Sequence, residues 1–205
     1  MTKFVTGGPD GDLGSNEVIL GEETIVGIVD GSGVIYDPAG LDRNELLRLC
    51  ETRQMVDHYG GKFSDGGFFV AVGENNRKLP DGTVVKSGMS FRNNFHLNEM
   101  VTADYFVPCG GRPESINLDN VDQMFKADGT TPRFQHIIEG ANLFITEPAR
   151  NVLQDAGVVL FKDASTNKGG VTSSSLEVLA ALSFDDAGFK EHMAADADGR
   201  FPAFY

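Results

Sequence analysis

Three groups of residues in this 205-residue sequence have types and spacings that could do chemistry. The first is Gly7-Gly8-Pro9-Asp10-Gly11-Asp12-Leu13-Gly14, where Gly8, Gly11 and Gly14 recur at every third position just after a β-branched and aromatic run, Lys3-Phe4-Val5-Thr6. Glycines there let backbone N–H groups approach a pyrophosphate at a helix amino terminus, where unpaired donors and the helix dipole favour an anion. The first glycine interval is one residue longer than in the usual dinucleotide fingerprint, and Asp10 and Asp12 add negative charge beside a negative ligand; a plain tight turn has the same composition. No Gly-Lys-Ser/Thr follows, which excludes a mononucleotide P-loop.

The second group is Asp30, which closes the apolar run Thr24-Ile25-Val26-Gly27-Ile28-Val29. An acidic group at that point accepts hydrogen bonds from an adenosine ribose and repels a 2′-phosphate, and no Arg or Lys follows before Arg43, so NAD is preferred over NADP. Asp30-Gly31-Ser32-Gly33 is equally the composition of a simple turn. The third group is a set of three segments that each follow an expected strand: Val107-Pro108-Cys109-Gly110-Gly111, Ile138-Glu139-Gly140-Ala141-Asn142, and Asp163-Ala164-Ser165-Thr166-Asn167-Lys168-Gly169-Gly170-Val171-Thr172. Lys162 and Lys168 flank the last one; either could reach an anion, and surface solvation is the plainer role for both. His58, His96, His136 and His192 stand at no motif spacing from a carboxylate or cysteine, so no metal site or histidine acid/base pair is indicated.

The elements that would position these residues follow from periodicity. Strands are expected at 3–6, 24–29, 105–107, 136–138 and 158–161. Helices are expected after the glycine turn, over 42–58 with Leu46, Leu49, Cys50 and Val56 on one face and Asp42 and Glu45 as a capping box, near 118–125, over 148–156 and from about 170 to 182. Residues 60–98 break the alternation, and Leu79-Pro80-Asp81-Gly82-Thr83 between Phe68–Val72 and Thr83–Val85 predicts a β-hairpin inserted there. Strands interleaved with helices predict an α/β fold, a Rossmann-like, doubly wound and mostly parallel sheet. Residues 1–182 form the expected domain, with 60–98 as the insertion and 183–205 as an acidic tail, read as a continuation cut short.

Composition excludes several classes. Forty per cent apolar and 23% charged residues describe an ordinary globular chain. A net charge of −13 disfavours nucleic acid or an anionic membrane as main partner, since both would repel it. No apolar run approaches membrane-spanning length and no secretory or other targeting segment opens the chain. Cys50 and Cys109, without CxxC spacing, suit a reducing compartment.

Taken in order, the glycine turn and the three later segments closely resemble the coenzyme domain of the glutamate, leucine, phenylalanine and valine dehydrogenase superfamily. The wording of 5–17 and of Lys162 to Glu177 is most similar to the large NAD-specific glutamate dehydrogenases. The resemblance implies NAD as cofactor, with Gly8, Gly11, Asp12, Leu13 and Gly14 at the pyrophosphate, Asp30 at the adenosine ribose, and Pro108, Cys109 and Gly110 beside the nicotinamide ribose. It also implies Asn142 and Asn167 at the nicotinamide end and Ser174 at the substrate side-chain carboxylate; Ser173 and Ser175 flank Ser174, and a polar helix start is the plainer reading of the three. The family's lysine and aspartate belong to a preceding substrate domain, and no matching lysine-bearing glycine segment occurs here, so no catalytic residue is expected in this chain. The implied reaction of the parent is L-glutamate + H2O + NAD+ to 2-oxoglutarate + NH4+ + NADH, in a homo-oligomer of the cytoplasm or mitochondrion. A leucine, phenylalanine or valine dehydrogenase domain and a non-catalytic NAD-binding module remain open alternatives.

Overall fold

The computed structural model describes residues 1–167, 169–196 and 198–200, with the backbone alone for 169–173. The chain forms two compact units, Met1–Asn167 and Lys168–Tyr205. The first is built on a seven-stranded sheet. Its strands are β1 (Thr2–Thr6), β2 (Thr24–Val29), β3 (Gly33–Tyr36), β4 (Phe68–Ala71), β7 (Ala103–Pro108), β8 (Phe134–Ile138) and β9 (Val159–Phe161), in the order β4-β3-β2-β1-β7-β8-β9. β1 pairs in parallel with β2 and β7, and β8 with β7 and β9; β3 runs antiparallel to both β2 and β4. A separate two-residue ladder joins β5 (Arg77–Lys78) to β6 (Val84–Val85). The helices of this unit are α1 (Asp12–Leu20), α2 (Arg43–Thr52), α3 (Gly88–Asn94), α4 (Glu147–Asp155) and the single turn α5 (Asp163–Thr166). The second unit contains α6 (Gly169–Ser183) and α7 (Asp186–Met193), the latter capped by the Asp185 carboxylate accepting from Gly188 N at 2.8 Å.

The mostly parallel α/β sheet expected from the alternation is present, and its layers follow from side-chain parity. The register of β1 with β2 steps from Lys3–Ile25 to Phe4–Gly27, so Val26 is an extra residue, and this bulge resets the alternation. Ile25 and Ile28 therefore face one layer with Val18 of α1 and Leu46 and Leu49 of α2, whereas Val26 and Val29 face the other. That second layer is aromatic. Phe4 stacks on Phe106 at 5.3 Å, and Phe95 meets Phe4 edge-on at 5.9 Å and Phe91 at 5.0 Å. Such contacts add to the burial of large rings and fasten the segment 88–97 to the sheet.

Several expected elements differ in the structure. The hairpin turn at 79–83 forms, with Leu79 N donating to Thr83 O at 2.8 Å, but its strands are β5 and β6, and Phe68–Ala71 joins the main sheet instead. Its partner β3 was not anticipated, because Gly31-Ser32-Gly33 masked a four-residue strand. The helix expected over 42–58 ends at Thr52, where Arg53 takes a left-handed conformation with φ of 51°; Val56 is buried from a separate 3-10 turn, Val56–His58. Its expected cap is real, since Asp42 accepts from Asn44 N at 2.8 Å and Glu45 N at 3.1 Å. Near 118–125 only a 3-10 turn, Val121–Met124, forms. There Asn120 Oδ1 accepts from Asn117 N at 2.9 Å and Asn117 Oδ1 from Asp119 N at 2.9 Å, local bonds that compete with a helical ladder.

One buried cation holds the insertion against the sheet. Arg133 has no carboxylate partner among the described residues. Its Nε donates to Gln123 O at 2.9 Å, its terminal nitrogens donate to Val101 O at 2.9 Å and His96 O at 2.7 Å, and a further short bond reaches Asn98 O. Burial pulls its pKa down to about 10, which leaves it charged at neutral pH. Hydrogen bonds from a charged donor contribute more than neutral ones, and removing it strands the carbonyls of His96, Val101 and Gln123, while Asn98 O keeps its bond from Val101 N. Arg133→Met is expected to destabilise the chain by about 3 kcal/mol or more, read as a fall of roughly 6 °C or more in Tm by calorimetry. Arg133→Lys, which keeps the charge and reaches fewer carbonyls, should fall between; a Met variant as stable as the wild type would refute the role.

Candidate functional site

The site forms where the chain leaves β1. Gly7 N donates to Val29 O at 2.7 Å and Gly11 N to Gly8 O at 3.1 Å, after which α1 begins with Gly11 as its extended N-cap and Ser15 N donating to Gly11 O at 2.9 Å. Gly7 has φ of +103°, and a side chain there would meet Gly110 N at 2.8 Å, so only glycine fits. At Gly14 a Cβ would lie 2.2 Å from Gly8 O, because α1 packs directly against the turn. Gly11 is different: its added Cβ would meet only Gly8 O, at an ordinary 3.5 Å. The turn thus presents open backbone, as a ligand approaching the first turn of a helix requires.

A cavity of about 380 Å³ opens over this turn. Gly8, Gly11, Asp12, Leu13, Gly14, Asp30, Cys109 and Gly110 all line it. It lies at the carboxyl ends of β1 and β7, where the strand order reverses direction, the place at which doubly wound sheets take ligands. Asp30 is only 3% exposed. Its Oδ1 accepts from Ser32 N at 2.8 Å, Ser32 Oγ at 2.6 Å and Gly33 N at 3.3 Å, and its Oδ2 accepts from Val56 N at 2.7 Å. Burial pushes its pKa up against these bonds, with Asp10 adding to the rise. Asp30 is therefore both the turn residue of the β2–β3 hairpin and a cavity wall. The Cys109 thiol is pushed by burial up to about 12, which makes it an inert wall.

Pro108, Asn142 and Asn167 do not line the cavity. Pro108 O accepts from Ala141 N at 2.5 Å, which ties the end of β7 to the loop after β8. Asn142 and Asn167 meet each other: Asn167 Nδ2 donates to Asn142 Oδ1 at 2.9 Å and to Gly140 O at 2.5 Å. Asn167 Oδ1 is buried with no hydrogen-bond partner among the described residues. The loop that carries Asn142 is clamped by a buried ion pair. Arg150 donates to Glu139 Oε2 at 2.9 Å and to Ile145 O at 2.9 Å, while Glu139 Oε1 accepts from Ile145 N at 3.0 Å. Burial raises the Glu139 pKa and Arg150 opposes the rise. Ser174 lies on α6 in the second unit, and Lys168 lies outside the described residues. No group of three His, Cys, Asp or Glu that could hold a metal occurs among the described residues.

Sequence reasoning missed the wall contributed by the insertion. Arg92, Asn93 and His96 line the cavity from α3 and the turn that follows it. The signal was available: Phe91 and Phe95 are four residues apart and pack inward, and Arg92 and His96, also four apart, lie one position along on the neighbouring face. Ser87 Oγ starts the helix by accepting from Ser90 N at 3.3 Å.

The fold and its cavity define a Rossmann-like α/β domain with an opening at the switch point of its sheet. The sequence profile of the glutamate/leucine/phenylalanine/valine dehydrogenases matches residues 1–205, and the chain belongs to that family. It is 58% identical over 206 residues to a probable NAD-specific glutamate dehydrogenase of Schizosaccharomyces pombe, covering 100% of this chain and 18% of that protein. It is also 58% identical over 205 residues to glutamate dehydrogenase 2 of Dictyostelium discoideum, covering 100% of this chain and 20% of the other. The chain thus spans about a fifth of the length of these relatives. Among solved structures, glutamate dehydrogenase 2 of Plasmodium falciparum shares the fold, with a TM-score of 0.54 at 18% identity over 88% of this chain and 34% of that one.

His96 gives the site a pH signature. It is buried between Phe106 and Phe144, with Nε2 3.4 Å from Ser115 O, and burial lowers its pKa from 6.5 to about 4. The unfolded chain takes up this proton below about pH 6.5 while the folded chain refuses it until about pH 4, so stability is full above that window and falls as pH drops through it. The loss attributable to His96 is on the order of 3 kcal/mol. His96→Phe should flatten the stability profile between these pH values in urea titrations; an unchanged slope would refute the assignment.

Proposed function

We propose that this chain is the coenzyme domain of an NAD-dependent glutamate dehydrogenase, whose parent catalyses L-glutamate + H2O + NAD+ to 2-oxoglutarate + NH4+ + NADH. The observation that carries the reading is the cavity of about 380 Å³ over the Gly7–Gly14 turn, with Asp30 in its wall at the end of the next strand. High identity to proteins named as NAD-specific glutamate dehydrogenases supports the same cofactor and substrate. In this reading residues 1–182 are the nucleotide domain, 60–98 its insertion and 183–205 a continuation, and the remaining catalytic groups belong to other parts of a larger, homo-oligomeric parent. Two unpaired cysteines, Cys50 and Cys109, accord with the cytoplasm or mitochondrion. No helix among the described residues is long and apolar enough to cross a membrane.

The residues present fit the cofactor. Open backbone at Gly8 and Gly11 and the first turn of α1, with Asp12 and Leu13, would receive the diphosphate, and Gly14 keeps the helix close. Asp30 Oδ2, which accepts from Val56 N alone among the described residues, retains capacity for a ribose hydroxyl, and the backbone of Pro108, Cys109 and Gly110 would border the second ribose. Asn142 and Asn167 would hold the nicotinamide carboxamide, with the orphaned Asn167 Oδ1 as a ready acceptor for its N–H. Ser174 is assigned to the substrate side-chain carboxylate. When bound, NAD+ supplies the hydride acceptor; the chain supplies orientation and exclusion of water.

Titration of NADH into the chain, read by calorimetry, tests this. The wild type should bind, and Gly11→Ala, which has room to fold, should weaken binding by about tenfold or more by obstructing backbone approach to the diphosphate, with Tm changed by only a few degrees. Gly14→Ala should instead lower Tm. Absence of heat with the wild type, or wild-type affinity in Gly11→Ala, would overturn the assignment.

A further inference from the structure

The cavity holds a cation that the glycine turn and Asp30 do not account for. Arg92, half-buried on α3, lines it together with Gly8, Gly11 and Asp30. Its Nε donates to the backbone carbonyl of Asp30 at 2.6 Å, and Nη1 donates to Asn93 Oδ1 at 3.1 Å. Among the described residues Nη2 has no acceptor and the guanidinium has no ion-pair partner, whereas Arg48, Arg53 and Arg150 each have one. A half-buried guanidinium with an open donor has capacity for an anion, and its planar fork suits phosphate oxygens.

The charge around it points the same way. Asp10, Asp12 and Asp30 line this cavity, and among the described residues only Asp12 is met by a cation, Arg53 at 2.9 Å. A diphosphate entering there would face carboxylates on several sides. Arg112 also lines the cavity but is exposed, so its charge is screened by solvent. Arg92 is fixed to the end of β2, the strand whose end borders the adenosine ribose in such sheets.

We propose that Arg92 is a coenzyme-binding residue whose guanidinium takes an oxygen of the diphosphate on its adenosine side. This rests on the NAD(H) reading above. No Arg or Lys lies between Asp30 and Arg43 in the sequence, and the cation beside Asp30 arrives from 62 residues along the chain. The diphosphate is favoured over a 2′-phosphate because the latter would have to sit against the Asp30 carboxylate.

NADH, NADPH, ADP-ribose and adenosine are titrated into the wild-type chain, Arg92→Gln and Arg92→Lys, the weak adenosine complex being followed by ligand-observed NMR. Arg92→Gln should lose about 10- to 100-fold in affinity for NADH and ADP-ribose, the loss of one charge-assisted contact. Adenosine binding should be unchanged, and Arg92→Lys should recover part of the loss. The salt dependence of NADH binding should be shallower in Arg92→Gln. A measurement on the wild type alone guards against a variant that fails to fold: phenylglyoxal modification of Arg92, followed by peptide mass spectrometry, should be slowed by ADP-ribose and not by adenosine. Undiminished NADH affinity in Arg92→Gln, an equal loss for adenosine, a loss confined to NADPH, or no protection by ADP-ribose would each overturn the proposal. Failure of the wild type to bind NADH would overturn the coenzyme reading itself.

Discussion

The crevice exists because two parallel neighbours, β1 and β7, send the following chain to opposite faces of the sheet. After β1, α1 buries Val18 in the layer with α2; after β7, Ile116, Val121 and Met124 enter the aromatic layer on the other side. Where the strands part, backbone groups would be left buried and unpaired. Thr6 resolves this: its carbonyl accepts from both Cys109 N and Gly110 N at 2.6 Å, and its hydroxyl returns to Gly110 O at 2.5 Å. These bonds form the floor of the cavity. The same closeness of backbone to backbone is what leaves no room for a side chain at Gly7.

The insertion turns an open crevice into a walled one. Phe91 and Phe95 anchor it through aromatic contacts, and Arg133 anchors it through the carbonyls of His96 and Asn98. Both devices hold the same short stretch of chain, so Arg92, Asn93 and His96 reach the cavity from a segment that is stiff for reasons unrelated to ligands. A net charge of −13 therefore says little about this pocket: a cation held by the insertion offsets carboxylates concentrated around the glycine turn.

The main alternation was legible in the sequence because β2, β8 and β9 are short apolar stretches containing β-branched residues, and because the glycine turn before α1, the Asp42 cap of α2 and the proline at the start of α4 act locally. Three features were not. The β3 strand lies behind a glycine-rich turn, and its residues Val34, Ile35 and Tyr36 are buried only because β2 and β4 flank it, a tertiary fact. The break at Arg53 depends on a left-handed residue with no glycine to mark it. The cavity wall at 92–96 depends on long-range packing that one-dimensional spacing does not specify. The glycine turn and Asp30 were legible because their chemistry and their placement at strand ends coincide. Asp30's turn bonds to Ser32 and Gly33 were open to a reading of the sequence, whereas its bond from Val56 N was hidden, since that partner lies 26 positions away.

Two charged residues inside the later motifs, Glu139 and Asp163, serve geometry, together with Arg150 of α4. All three are buried, and they hydrogen-bond to the loop that carries Asn142. Burying an ion pair is costly, so a pair of this kind is retained where it fixes a conformation that apolar packing would leave loose. Here the Arg150 fork joins the Glu139 carboxylate to the Ile145 carbonyl, and Asp163 Oδ2 accepts from Leu143 N at 2.9 Å, a residue held at φ of +56° beside Asn142. A non-glycine residue in that region is unfavourable by itself and persists only when its surroundings over-determine it. The ion pair and the aspartate supply that over-determination. The strain at Leu143 and the two exposed or half-exposed amides beside it therefore form one unit, in which buried charge on Glu139, Arg150 and Asp163 sets the direction of Asn142 against Asn167.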